Sequence, residues 1–350
     1  MVTAVELGLL YAIMALGVYL TFRILEFADL TVDGSFTTGA AVAAVAIVKG
    51  YDPLVATAAA FVAGLMAGVV TGVLHTKANI DGLLAGILTQ IGLYSINLRI
   101  MGAANVSLLR EETLFSSARD AGQMGTTSWV GPAMLAPIAL VVLVAIIWFL
   151  HTDLGLAMRA TGDNSEMIRS FGVSTDAQKI LGLSLSNGLV ALSGGLIAQY
   201  QGFADVNMGI GMIVAGLASV IIGQAIFGRL TVFRAAFAVL FGAVLYRVVI
   251  QLALEVGLNP NDMKLISAIL VVLALVLPQV KFFKHVPARF KPRNGRTAQT
   301  SDADTAPGHA ESPESDSASV FAATDSGTPG GTSASGASDR DNGSNSGKDL

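Results

Sequence analysis

Long apolar runs separated by short polar stretches give the first reading of this chain. They occupy residues 3–22, 34–49, 54–74, 83–101, 130–150, 179–200, 213–228, 233–254 and 264–280. A helix needs about 20 residues to cross a hydrocarbon core about 30 Å thick. None of the runs alternates apolar and polar with period two, so they predict helices and not barrel strands. The expected fold class is all-α: a polytopic membrane protein with about nine spans, in a range of eight to ten. The second and seventh runs are short and are candidates for half-helices or re-entrant pieces. The first run lacks a positive leading region and a cleavage site, so it is expected to be a span and not a removed signal.

Both short runs follow the same phrase. Phe27-Ala28-Asp29-Leu30 returns as Phe203-Ala204-Asp205-Val206, and each copy leads into a stretch containing glycine. Lysine and arginine placement orients the spans. The segment after the last span carries Lys281, Lys284, Arg289, Lys291, Arg293 and Arg296 and is expected to be cytoplasmic. Counting back puts 151–178, the turn at Arg229, and His75–Asp81 inside, and 102–129 and 255–263 outside. Five spans then separate the two phrases, so the second lies upside down relative to the first, as an inverted-topology repeat requires.

Composition sharpens this. Apolar residues are 53% of the chain and charged residues 13%, and the mean hydropathy is +0.65; soluble domains carry about 25% charged residues. No cysteine is present, and the four histidines are scattered. Thiolate chemistry is thereby excluded, and no metal motif, cofactor or nucleic-acid partner is expected. From Thr297 the chain becomes rich in Ser, Gly, Asp and Thr, too polar to bury a core. The expected organisation is a membrane domain at 1–288 and a tail at 289–350, basic at its start, then acidic and disordered.

Ionisable and amide side chains inside spans mark candidate chemistry, because they are costly at depth. Asp29, Asp33, Gln90, Asn97, Gln201, Asp205 and Asn207 are the candidates for a translocation pathway. Gln90 and Asn97 are seven apart and share a helical face. Asp29 and Asp205 directly precede apolar helices, so capping competes with contact to a solute. Small residues at Gly64, Gly68 and Gly72, and at Gly82 and Gly86, predict close helix approach within one subunit.

The loop 151–178 differs from the others. Asp163 or Asn164 can cap a short helix and Gly172 can end it. That helix would carry Met167, Ile168 and Phe171 on one side and Glu166 and Arg169 on another. Such a helix suits docking into a groove on a partner, or lying on lipid.

Here the residues resemble a family. Gly155, Ala157, Arg159, Ala160, Asn164, Gly172-Val173, Ala191 and Gly194-Gly195 resemble the cytoplasmic loop and next helix of ABC-transporter permeases of the branched-chain amino acid and ribose type. The segment Ala28–Phe36 resembles the early broken segment of a branch associated with tryptophan and tyrosine, and Ala218–Gly228 resembles the family's later glycine-containing helix. The family often has a double glycine where this chain has Gly223-Gln224, and the acidic tail is atypical. The resemblance implies a permease in the plasma membrane of a prokaryote, with its C-terminus cytoplasmic. It also implies a second permease copy or homologue, two cytoplasmic ABC ATPase subunits, an extracytoplasmic substrate-binding protein and contact with membrane lipid. By the same resemblance Asp163–Phe171 forms the helix that couples to the ATPase, with Met167 and Phe171 as apolar anchors and Arg159 and Arg169 as polar contacts.

The chain carries no ATPase motif of its own. Gly343–Asp349 is one residue short of a phosphate loop and ends in Asp, not Ser or Thr. An enzyme is not expected. The alternative reading is a self-sufficient secondary transporter driven by an ion gradient, in which the intramembrane acids bind the coupling ion. An intramembrane enzyme is disfavoured by the lack of any histidine dyad, nucleophile elbow or metal motif.

Overall fold

The computed structural model describes residues 1–116, 129–228 and 231–256, together with 265, 268–269 and 271–272. The helices are α1 (Val2–Tyr19), continued by a π-turn at Leu20–Ile24, α2 (Thr31–Val48), α3 (Pro53–Thr76), α4 (Gly82–Met101), α5 (Val130–Leu150), α6 (Asp153–Asp163), α7 (Ser165–Ser170), α8 (Thr175–Gln201), α9 (Met212–Phe227) and α10 (Val232–Glu255). Seven of these are long and apolar enough to cross a membrane, the first of them being α1 with its π-turn, and α9 is a shorter apolar helix. All but five residues of the expected last span at 264–280, the loop at Arg229 and the tail 289–350 lie outside the described residues.

One expectation is corrected. The second span is no half-helix: α2 begins at Thr31, three residues before the apolar run, and is long enough to cross. The fold is mostly helical, as expected, with one short ribbon added. Strand β1 (Asn105–Ser107) pairs antiparallel with β2 (Phe203–Asp205), Asn105 opposite Asp205. The loops after α4 and after α8 therefore meet at one end of the bundle, the ribbon end. At the other end, the arm end, Arg169 Nη2 and Lys77 Nζ lie 3.5 and 3.9 Å from the Asp176 carboxylate, and Lys179 Nζ lies 3.3 Å from His75 Nε2. Exposed pairs of this kind stabilise little, but they place the α3–α4 turn beside the α7–α8 turn.

The two copies of the repeated phrase sit at opposite ends of α4. A Cβ added at Gly82, the first residue of α4, would fall 2.5 Å from the Phe27 ring. Phe203 lies in the ribbon beyond the other end of the same helix, about 30 Å away along a 20-residue helix.

Helix α8 is the hub, and glycine explains why. A Cβ at Gly39 of α2 would lie 1.9 Å from the Ala191 carbonyl oxygen, and one at Gly194 would lie 2.0 Å from that of Phe36. On the other side, Cβ atoms at Gly64 and Gly68 of α3 would lie 2.3 and 2.2 Å from the carbonyls of Asn187 and Leu183. The backbones of α2, α8 and α3 are in direct contact, which only a missing side chain permits. Hydroxyls of α8 secure α1: Ser186 donates to the Gly17 carbonyl at 2.7 Å and Ser193 to that of Leu10 at 2.8 Å.

Candidate functional site

Asp33 stands where α2 meets the start of α9. It lies in the first turn of α2, yet its carboxylate serves another helix. One oxygen accepts from the Gly211 N–H and the other from the Ile213 N–H, both at 2.8 Å. Those are donors of the first turn of α9, which no preceding residue caps. A negative charge there also meets the positive end of the α9 dipole. Two glycines make the approach possible. Gly211 adopts a left-handed φ of 87°, and a Cβ at Gly209 would fall 2.0 Å from the Asp33 carbonyl oxygen. Hydrogen bonds to charged groups contribute about 1.5–3 kcal/mol each. Asp33→Ala is therefore expected to lower stability by roughly 3 kcal/mol or more, and Asp33→Asn by less. Thermal unfolding in detergent checks this; an unchanged midpoint for Asp33→Ala would show that α9 starts without the carboxylate.

A cavity of about 340 Å³ adjoins this junction, lined by Asp33, Gly34 and Thr37 of α2, Gln90, Ile91, Tyr94, Ser95 and Asn97 of α4, and Val206 and Ile210 of the returning segment. Asn97 is fully buried, its amide reaching the Gly34 carbonyl at 3.4 Å while its Oδ1 has no partner among the described residues. Tyr94 and Ser95 are exposed on the outer face of α4. The structure thus gathers Asp33, Gln90 and Asn97 around one mostly apolar cavity.

The other pathway candidates lie elsewhere. Asp29 is buried and locked: Oδ1 accepts from the Thr31 N–H at 2.9 Å and Oδ2 from Asn187 Nδ2 at 2.6 Å. Ser35 in turn donates to Asn187 Oδ1 at 2.7 Å. Burial pushes the Asp29 carboxyl above the ordinary carboxylate range, against the opposing pull of its Thr31 and Asn187 hydrogen bonds. It serves the start of α2, a capping role. Asp205 does not cap α9: it lies in β2, and its Oδ1 accepts from the Asn207 N–H at 2.8 Å, closing a local turn. Gln201 and Asn207 are exposed at the ribbon end. Asn187 was not singled out from the sequence, although a polar amide in the middle of the apolar run 179–200 is the signal that marks it.

At the arm end, α6 and α7 meet at Asn164. Its backbone is extended and its Oδ1 accepts from the Met167 N–H at 2.9 Å, capping α7. Gly172 ends that turn with a φ of 84°. No residue of α7 is buried; Met167 is 48% and Phe171 74% exposed, and Glu166 is exposed. Ile168 is half-buried. Arg169 turns back, donating to Thr175 Oγ1 at 2.9 Å. Arg159 and Asp163 belong to α6 and face a different, polar cavity beside the π-turn.

The whole membrane portion matches one family. The profile described as "Branched-chain amino acid transport system / permease component" covers residues 1–276. A tyrosine transport system permease protein of Clostridioides difficile (strain R20291) is 42% identical over 76% of this chain and 86% of its own length. An uncharacterized protein of Rickettsia prowazekii (strain Madrid E) is 37% identical over 79% of this chain and 96% of its own. An autoinducer 2 import system permease protein of Salmonella typhimurium (strain LT2) is 29% identical over 54% of this chain and 52% of its own.

Proposed function

The chain belongs to the family of permease components of branched-chain amino acid transport systems, and we propose that it is the membrane subunit of an ABC importer for an amino acid of the tyrosine class. The observation that carries the substrate class is the 42% identity to the tyrosine transport permease. The cavity at Asp33, Gln90 and Asn97 supports it, since a solute with charged ends needs polar groups at depth.

In this reading the arm end is cytoplasmic and the ribbon end faces the substrate-binding protein. Met167 and Phe171 enter a groove on an ABC ATPase, whose closure on ATP moves the arm and switches access. The nine spans form an inverted repeat, with Asp29 and Asp205 as its matching marks at opposite faces. The host is the plasma membrane of a prokaryote. A second permease copy or homologue covers the cavity, because Tyr94 and Ser95 open it toward the outside of the α4 face, where lipid would leave the few polar groups of its lining unmet.

Reconstitution tests this. Proteoliposomes holding this chain, the ATPase and the binding protein are expected to accumulate labelled tyrosine only with ATP. Uptake by this chain alone, driven by an ion gradient, would establish the secondary-transporter reading instead.

A further inference from the structure

The polar cavity at the arm end has no part in the pathway described above. It measures about 210 Å³ and is walled by the π-turn of α1, by α6 and by the α9–α10 junction. Its functional lining is Tyr19, Arg23, Glu26, Arg159, Asp163 and Gln224. We propose that it is a binding site for a small zwitterion of the α-amino acid class.

Four charged side chains and one buried amide point there. Arg23 and Arg159 supply two guanidinium groups, and Glu26 and Asp163 two carboxylates, yet none of the ion pairs among the described residues engages any of the four. Arg23, Glu26 and Asp163 are exposed and Arg159 is half-buried, so all four are open to an incoming group, and their balanced sign matches a ligand that carries one charge of each sign. The planar guanidinium fork suits a carboxylate, and the two acids suit an ammonium group. A simple anion would sit against Glu26 and Asp163, and a simple cation against the arginines. Gln224 supplies the orienting group. It is 4% exposed, and its Nε2 has no hydrogen-bond partner among the described residues. A buried amide donor left unmet is costly, so the site is built for an acceptor to arrive. Glu26 holds a left-handed φ of 52°, one of two non-glycine residues among those described to do so. Backbone of that kind is strained and clusters at ligand clamps.

An occupant held by Arg159 and Arg23 would tie α6 to the end of α1. Helix α6 runs through Asn164 directly into α7, so a bound solute restrains the coupling arm. The site is thereby placed to sense solute accumulated on the inner side. That regulatory meaning rests on the import reading; the binding itself does not.

The test uses the full chain in nanodiscs, without ATPase or binding protein, so that its outcome is separate from that of the uptake assay. Radiolabelled L-alanine and L-tyrosine are the probes, with propionate and ethylamine as single-charge competitors. Saturable binding of at least one amino acid at one site per chain is expected. Propionate and ethylamine should compete at least tenfold less well than the amino acid. Arg23→Gln and Gln224→Leu should each weaken binding at least tenfold. Gln224→Leu replaces a buried amide whose donor is unmet with an apolar group of similar size, so its unfolding temperature should hold or rise, which separates loss of the site from loss of the fold. Absence of saturable binding overturns the proposal, as does binding unaltered in the Gln224→Leu protein. Propionate competing as well as alanine overturns the zwitterion assignment.

Discussion

Gly39→Leu is expected to give a chain that does not accumulate in folded form. The Cβ alone would fall 1.9 Å from the Ala191 carbonyl oxygen, well inside contact distance. The neighbour is backbone and cannot rotate away. Helix α8 cannot retreat either, because Gly64 and Gly68 of α3 hold its other side equally close. Overpacking a yielding core costs about 1–3 kcal/mol; here neither side yields, and the cost is a large part of the roughly 5–15 kcal/mol that typically holds a domain. Gly92→Leu is the control, since nothing lies within 4 Å of a Cβ there. Size-exclusion profiles of tagged protein should show a monodisperse Gly92→Leu and an aggregated or absent Gly39→Leu. A monodisperse Gly39→Leu with the parent's unfolding temperature would mean that α2 and α8 are not in backbone contact.

Phe171→Asp is expected to leave the fold intact and abolish ATP-driven uptake. Phe171 is 74% exposed, and exposed substitutions typically alter stability by no more than about 0.5 kcal/mol. An aromatic anchor at the centre of an interface contributes about 2 kcal/mol or more to binding, and a carboxylate in its place adds the cost of burying a charge. Capture of the ATPase by the immobilised variant should fall at least tenfold, with Phe171→Leu keeping most of it. Undiminished capture by Phe171→Asp would remove α7 from the coupling role.

Hydropathy made the helices legible, because long apolar runs have few alternatives in lipid. The short helix α7 was legible from Asn164 and Gly172, since capping chemistry is local. The start of α2 was not. Thr31-Val32-Asp33 reads as polar and therefore outside, whereas Asp33 is inside the helix because α9 needs its carboxylate. The β1–β2 ribbon was hidden for a similar reason: Asn105–Ser107 is a strand only because Phe203–Asp205 returns to it. Within the cavity, Gln90 and Asn97 were readable from their spacing and Asp33 from its charge. Asp29 and Asp205 look alike in sequence, yet one is sealed against Asn187 and the other closes a turn at the ribbon end. Identical words acquired different jobs from their surroundings.

The carboxylate of Asp33 rivets two helices that belong to different halves of the chain. Pulling α2 from α9 would strand two amide protons and a negative charge in a medium that offers them nothing. Any rocking of the subunit must therefore carry α2 and α9 as one rigid wedge. The π-turn at Leu20–Ile24, where the helical ladder is wound more loosely, is an element that this rivet leaves untied.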